Sequence, residues 1–386
     1  MGTSQTSQAP SALLDVFKQI DFEPVRGDGV WLHGANGDRY LDFYGGHAVA
    51  SLGNAHPRLQ SVLAEQAGTL FFQSNVVRLE VRERAAARLV RFGPPNLVRA
   101  FFVNSGAEAN ENALRIAFLA TKRRKVVCVA GGFHGRTAAV SAITDGHERW
   151  YGFPQKNFDV QVVPFDDTVA LERAIDNDTA AFIVEPVQGI AGARQCSAAF
   201  LETARRRTSE AGAVLILDEV QCGMGRTGYP FAAQAYDVAP DILTAAKGIA
   251  GGFPAGAVIV TEAMARAVTY GDLGTTFGGG PLACALIETV IDVIERENLL
   301  DRVRRLSLRL QNECCVGPVT SVQGMGFLLG LRTTRPAAEV LAQLRARRIL
   351  AGSATDPNVV RLLPPLVLDD DHVTMLVHAL EELGTS

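Results

Sequence analysis

The chain reads as an α/β protein with a mostly parallel seven-stranded sheet, and three observations carry that reading. Seven short apolar runs recur at residues 97–103, 125–130, 160–165, 180–185, 213–219, 241–247 and 255–261. They lack polar alternation, the pattern expected of strands buried on both faces. Most are separated by helix-like stretches, for example at 107–122, 168–175 and 197–211, as in a parallel sheet sandwiched by helices. Only a short glycine-rich connection joins the last two runs, so the final strand is expected to run antiparallel.

Beyond Pro281 the pattern changes to a long helix over 282–311, a strand over 327–331, a helix over 337–347, a strand over 359–363 and a closing helix near 370–383. This predicts a smaller α/β domain. The opening residues, with a hairpin-like segment at 29–40 turned at Asn36 and Gly37, are too few to fold alone. The expected organisation is an N-terminal segment (1–45) packing with the C-terminal small domain (281–386), and a large domain (46–280) between them. No internal repeat or low-complexity region is visible.

At 386 residues, 47% hydrophobic and 20% charged, the chain can bury a sizeable core. Its 37 basic and 41 acidic side chains leave a net charge of −4, which provides no general attraction to nucleic acid or an anionic membrane. The arginine runs at 205–207 and 345–348 fall on helix-like segments and read as solvated faces. Residues 1–9 are rich in Ser, Gln and Thr without an apolar core, and no stretch approaches the roughly 20 apolar residues that span a bilayer, so a cytoplasmic protein is expected. Cys128, Cys196, Cys222, Cys284, Cys314 and Cys315 show no metal-ligand spacing; they read as reduced, buried thiols, and no metal is expected.

The residues that point to chemistry sit where runs end. Lys247 follows one apolar run and precedes a glycine-rich loop, 29 positions after Asp218 at the end of another. A partly desolvated lysine loses its proton readily enough to form a Schiff base, and a buried carboxylate can hold a pyridinium nitrogen protonated. Those are the two things pyridoxal phosphate needs from a protein.

Asn104-Ser-Gly-Ala-Glu-Ala-Asn lies where the first run gives way to a helix, whose start offers unpaired amides to an anion. A simple Ser or Asn cap fits that segment as well. Gly132-Phe-His-Gly-Arg-Thr supplies an aromatic face and a guanidinium. Phe133 could stack on a ring and Arg136 could hold a carboxylate, although a lone Phe is more often core, and His134 is assigned only a supporting role. Glu185 and Asp218 both follow apolar runs, at the sheet edge where open α/β folds bind ligands. Asp218 would face a pyridine nitrogen, Val220 would pack on the ring and Gln221 would reach its phenolic oxygen, unless Asp218 merely caps a turn.

These segments, with Ala246-Lys-Gly-Ile-Ala-Gly-Gly-Phe-Pro and Thr275-Thr-Phe-Gly-Gly, resemble the class III, or omega-amino, aminotransferases of pyridoxal-phosphate fold type I. The resemblance spans nearly the whole chain, from Tyr40 to Leu366, and the order of the motifs is more specific than any one of them. It implies that Lys247 forms the Schiff base and shuttles the substrate proton, and that Asp218 holds the pyridine nitrogen protonated. It further implies that Ser105, Gly106 and Ala107 hold the phosphate, and that Thr276 reaches the phosphate of a partner subunit in an obligate homodimer with shared sites. Arg136 is expected to bind the α-carboxylate of the donor and Arg361 a carboxylate of the 2-oxoglutarate/glutamate pair, an ion pair at a strand end being the alternative for Arg361.

The reaction implied first is transamination of N-acetylornithine with 2-oxoglutarate, giving N-acetylglutamate 5-semialdehyde and glutamate, a step of arginine biosynthesis. Succinylornithine, a lysine-pathway intermediate, ornithine, 4-aminobutyrate or a diamine are the alternative donors. A pyridoxal-phosphate-dependent racemase or aminomutase and a non-catalytic binding protein are the alternative classes. Three positions depart from the family pattern: Ile190, where a glutamate usually neutralises the second arginine; Gly280, usually Asn; and Gln323, usually basic. Without the glutamate, either another carboxylate substitutes or Arg361 stays open to anions.

Overall fold

The computed structural model describes residues 12–146, 148 and 151–384; the Ser/Gln/Thr-rich start at 1–9 lies outside the described residues. Near the N-terminus, β1 (Pro24–Asp28), β2 (Trp31–Gly34) and β3 (Arg39–Asp42) form an antiparallel meander. Gly37, at φ 86°, supplies the left-handed turn between β2 and β3 that the Asn-Gly pair predicts.

All seven apolar runs are strands of one sheet: β4 (Arg99–Val103), β5 (Lys125–Val129), β6 (Asp159–Val163) and β7 (Thr179–Val184), then, after a small hairpin of β8 (Val187–Gln188) and β9 (Arg194–Gln195), β10 (Val214–Asp218), β11 (Ile242–Ala245) and β12 (Gly256–Val260). Their order is β4-β12-β11-β10-β7-β5-β6. β12 runs antiparallel to both its neighbours, as its short connection requires, and every other pairing is parallel. The burial prediction fails at β6, where only Val163 is buried. As an edge strand it is covered less than the others, and its alternate residues Asp159 and Gln161 are polar.

Side chains of a strand alternate between faces, and here the two faces feed two packed clusters. Val214, Ile216 and Ile242 pack with Ala109, Ala113, Leu114 and Ala117 of the helix Gly106–Thr121. Leu215, Leu217 and Leu243 pack on the opposite side with Phe200, Leu201 and Ala204 of the helix Ala198–Ala211. By this parity Asp218 and Thr244 fall on the side of the helix Gly106–Thr121.

Beyond the sheet, the predicted long helix is two, Pro281–Arg296 and Leu299–Glu313. Asn298 separates them at φ 49°, a conformation asparagine tolerates better than most residues. β13 (Val319–Met325), missed in the sequence because its residues are mixed in polarity, pairs with β14 (Leu328–Thr333). Then follow β15 (Ile349–Leu350), β16 (Gly352–Ser353) and β17 (Val359–Leu362). β15 pairs in parallel with β3, so the N-terminal meander carries a strand from the far end of the chain. Five cysteines are buried, but Cys315 is exposed, correcting the expectation for that thiol: it lies just past the helix Leu299–Glu313. No helix among the described residues is long and apolar enough to cross a membrane.

Candidate active site

β4, β5, β7, β10 and β11 all end at one edge of the sheet, and residues at or past the ends of β4, β5, β10 and β11 line a cavity of about 340 Å³. Asn104, Ser105, Gly106 and Ala107 come from beyond the end of β4, Phe133 and His134 from the loop after β5, Asp218 from the end of β10, Val220 from the turn that follows it, and Lys247 from beyond β11. The sheet thus gathers most of the predicted site residues. Gln221 and Thr276 are not in the lining. Gln221 donates through Nε2 to the carbonyl of His47 at 3.2 Å, and Thr276 is exposed on the surface.

The helix Gly106–Thr121 opens with a reciprocal cap. The Ser105 hydroxyl accepts from the Glu108 amide at 3.2 Å, while the Glu108 carboxylate accepts from the amides of Asn104 and Ser105. Ser105 is therefore a cap, and Gly106 and Ala107 remain as first-turn amides without an intrahelical partner. Gly106 has a packing reason as well, since a Cβ there would lie 2.6 Å from a Val220 methyl.

Asp218 is buried and fully engaged. Its Oδ2 accepts from Asn110 Nδ2 and His134 Nδ1, both at 2.7 Å, and its Oδ1 accepts from the Val220 amide at 3.0 Å. His134, assigned only a supporting role above, is buried, and its Nε2 has no hydrogen-bond partner among the described residues. Burial works against its charge, but the hydrogen bond to Asp218 and the negative charges of Asp218 and Glu185 outweigh that and raise its pKa.

Lys247 opens a short 3₁₀ turn, Lys247–Ala250, with φ 48°, a left-handed conformation that costs a non-glycine residue energy and recurs at functional sites. Among the described residues no hydrogen bond or ion pair engages its ammonium. Burial lowers its pKa, with Arg361 acting in the same direction and Asp218 and Glu185 opposing. A second left-handed stretch, Gly45, Gly46, His47 and Ala48 with φ of 55 to 67°, forms another wall and supplies Val49 to the cavity.

Glu185 accepts from the amides of Phe133 (2.8 Å) and Gly189 (3.2 Å), so it anchors the aromatic loop. Burial, and after it the nearby Asp218 charge, push its pKa up to about 7. Glu219 is pushed up to about 7 by burial, although the amides of Ala232 and Ala233 favour its charge. An acid raised in the folded state stabilises fully below its ordinary value near 4.5 and loses that contribution as pH rises through 7. Each such group is expected to lower stability by up to about 1.4 kcal/mol per pH unit in that window. Thermal melts from pH 5 to 8 check this: Glu219→Gln should flatten the wild-type decline, and an unchanged slope would refute the assignment. Lys247, with a lowered pKa, acts with the opposite sign, so the single variant isolates the acid.

Arg361, on β17, is 3% exposed. Its Nε donates to the Ser353 carbonyl at 2.5 Å, and among the described residues its buried Nη1 has no hydrogen-bond partner and no ion pair reaches it. Burial lowers its pKa, opposed by Tyr44 and Glu185. Arg136 is exposed, its guanidinium carbon 5.8 Å from the Phe133 ring centroid. Ile190 lines a second cavity of about 710 Å³, which also shares Phe133. Gln323 there donates to the Gly192 carbonyl at 2.7 Å, and Gly280 precedes the helix Pro281–Arg296 as its N-cap.

The cavity at the sheet edge thus offers two helix-start amides for an anion, an aromatic face and a valine for a flat ring, a carboxylate for a basic nitrogen and an amine of lowered pKa. A family model of the class III aminotransferases matches residues 16–383. The chain belongs to the class III aminotransferases. It is therefore a pyridoxal-phosphate-dependent enzyme that moves an amino group between an amino donor and a keto acid. Within this family it is 40% identical to acetylornithine aminotransferase 1 of Bradyrhizobium diazoefficiens, over 97% of this chain and 95% of that protein. It is 43% identical to acetylornithine aminotransferase of Streptomyces coelicolor, over 92% and 89%. Among solved structures, ornithine aminotransferase of Toxoplasma gondii aligns with a TM-score of 0.90 at 28% identity, covering 96% of this chain and 93% of that one. Acetylornithine aminotransferase of Elizabethkingia anophelis aligns with a TM-score of 0.86 at 28% identity, covering 96% and 95%.

Asn110, Thr244 and the anchoring role of Glu185 escaped the sequence reading. The signal for Asn110 was present: it is a polar residue beside Ala109 and one turn before Ala113 and Leu114, on a helix otherwise apolar on that side. Nothing local marks Thr244, since threonine is an ordinary strand residue.

Proposed function

We propose that this aminotransferase transfers the terminal amino group of N-acetylornithine to 2-oxoglutarate, giving N-acetylglutamate 5-semialdehyde and glutamate, in arginine biosynthesis. The names of the relatives support the donor. The observation that carries the second substrate is the buried Arg361 guanidinium, whose Nη1 has no hydrogen-bond partner and which no ion pair reaches among the described residues.

The donor set of the cavity fits pyridoxal phosphate: the Gly106 and Ala107 amides and Ser105 suit a phosphate, Phe133 and Val220 the two faces of a ring, and Asp218 a ring nitrogen. Gln221 is assigned to the phenolic oxygen, which it would reach by turning from the His47 carbonyl. The chemistry supplied by the bound cofactor is electron withdrawal from the carbon that carries the amine. Lys247 takes the proton from that carbon and returns it on the other skeleton, and its lowered pKa leaves it unprotonated often enough to do so. Asp218 holds the ring-nitrogen proton, and Arg136 orients the donor by its α-carboxylate.

Arg361 receives a carboxylate of 2-oxoglutarate. With Ile190 in place of an acid, it stays available to an anion in both half-reactions. Tyr270, Phe71 and Phe277 are exposed large apolar groups, and Phe277 is next to Thr276. That surface suits a second copy of the chain, in a homodimer where Thr276 reaches the phosphate of the other site. The assignment includes a cytoplasmic location and the division into a large domain (46–280) and a small one built from both termini (1–45 and 281–386).

A panel of amine donors with 2-oxoglutarate tests the reading. N-acetylornithine should be the fastest donor, and equal turnover of 4-aminobutyrate or ornithine would defeat the donor assignment. Conversion without a keto acid would indicate an isomerase instead. In Arg361→Lys the KM for 2-oxoglutarate should rise about 10- to 100-fold, since an ammonium cannot reproduce the two-pronged contact.

A further inference from the structure

We propose that Asn110 and Thr244 form a positioning pair that fixes the plane of the Asp218 carboxylate, and so determines how well the site receives a ring nitrogen. The proposal rests on the role given to Asp218 above. It begins with register: Asp218 and Thr244 are direct partners on the adjacent parallel strands β10 and β11, and register partners present their side chains on the same face. That face is covered by the helix Gly106–Thr121, on which Asn110 lies one turn after the phosphate-type cradle.

Asn110 is 1% exposed, and every hydrogen-bonding group of its amide is used in one sense only. Nδ2 donates to Asp218 Oδ2 at 2.7 Å and to the His134 carbonyl at 2.9 Å, and Oδ1 accepts from Thr244 Oγ1 at 2.7 Å. Asp218 and the His134 carbonyl are both acceptors, so the amide cannot be turned over without setting oxygen against oxygen. Thr244 is fully buried and spends its single proton on Asn110, holding the amide from behind.

The consequence is a carboxylate held at three points. Asn110 and His134 grip Oδ2, the Val220 amide grips Oδ1, and its rotation is stopped. The same pair links the elements of the site, because this amide adds a hydrogen bond to the apolar packing between the helix that starts at Gly106 and the strand that leads to Lys247. Loss of Thr244's hydroxyl leaves a buried amide oxygen unpaired and lets Asn110 shift, so the two residues should act as one unit.

The test uses the full-length apo-enzyme and two probes: pyridoxal phosphate and its 1-deaza analogue, in which the ring nitrogen is a CH group. Dissociation constants are read by quenching of intrinsic fluorescence. The wild type should prefer the natural ring, and Asn110→Ala should lower that preference about tenfold by weakening pyridoxal phosphate alone. Thr244→Val should act in the same direction, Thr244→Ser should restore what Val loses, and the double variant should lose no more than Asn110→Ala. Equal weakening of both probes would reduce the pair to a general structural role and overturn the proposal. Unchanged preference or additive losses would overturn it too. Equal wild-type affinity for the two probes would defeat the Asp218 reading and this proposal together, whereas a wild-type preference that survives in every variant would defeat this proposal alone. Should Asn110→Ala not fold, the contrast between Thr244→Val and Thr244→Ser decides the matter.

Discussion

Lys247→Ala is expected to leave a folded protein whose transamination rate falls by about 10⁴-fold or more, because one amine serves both as nucleophile toward the cofactor and as carrier of the substrate proton. The structure explains why nothing nearby can replace it. Among the described residues no other lysine lines the cavity, and the acids around it, Asp218 and Glu185, are held by their own hydrogen bonds. Alanine at φ 48° meets the same backbone cost as lysine, and no hydrogen bond or ion pair of the ammonium among the described residues is lost, so the far-ultraviolet spectrum and melting temperature should change little. Single-turnover measurement of each half-reaction checks the rate. Retention of more than about a hundredth of the activity would refute the role.

Asp218→Asn is expected to lower kcat on the order of 10²- to 10³-fold, the usual loss when a preorganised electrostatic partner of the reacting centre is removed. The substitution keeps the shape and discards the charge. It also has a structural readout independent of turnover. Asp218 is what raises the pKa of buried His134 against the cost of burial, so in the variant the imidazole should titrate at lower pH. Nuclear magnetic resonance of the histidine ring nitrogens would show that fall, and an unchanged His134 with undiminished kcat would refute the assignment.

How far the sequence reached can be seen from particular elements. The seven strands of the main sheet were legible because a strand covered on both faces needs a continuous apolar run, and such runs survive in the sequence whatever packs on them, whereas the short hairpin of β8 and β9 was not read. β6 was legible as a strand and misread in burial, because its edge position is a property of the sheet order and not of its residues. β13 was invisible because its partner strand, rather than its own pattern, makes it a strand. The break at Asn298 was hidden by apolar periodicity running on through it into the second helix.

The site divides in the same way. Lys247, Asp218, Phe133 and the Ser105-Gly106-Ala107 turn were named from residue type at strand ends, where chemistry and local backbone geometry coincide. Asn110 and Thr244 act only through contacts between residues 134 positions apart, and His134 changes from supporting loop residue to buried partner of Asp218 only when β5 and β10 enter one sheet.

What the amino-acid sequence determined by itself is the fold class, the family and the reaction type, because apolar runs and backbone-specific motifs are local properties of the chain. What only the tertiary structure decided is the state of each group: which acids sit near 7, that no ion pair reaches Arg361 among the described residues, and that one amide holds the Asp218 carboxylate in place. Those depend on burial and on partners from distant strands, and desolvation exists only once the chain has closed around them.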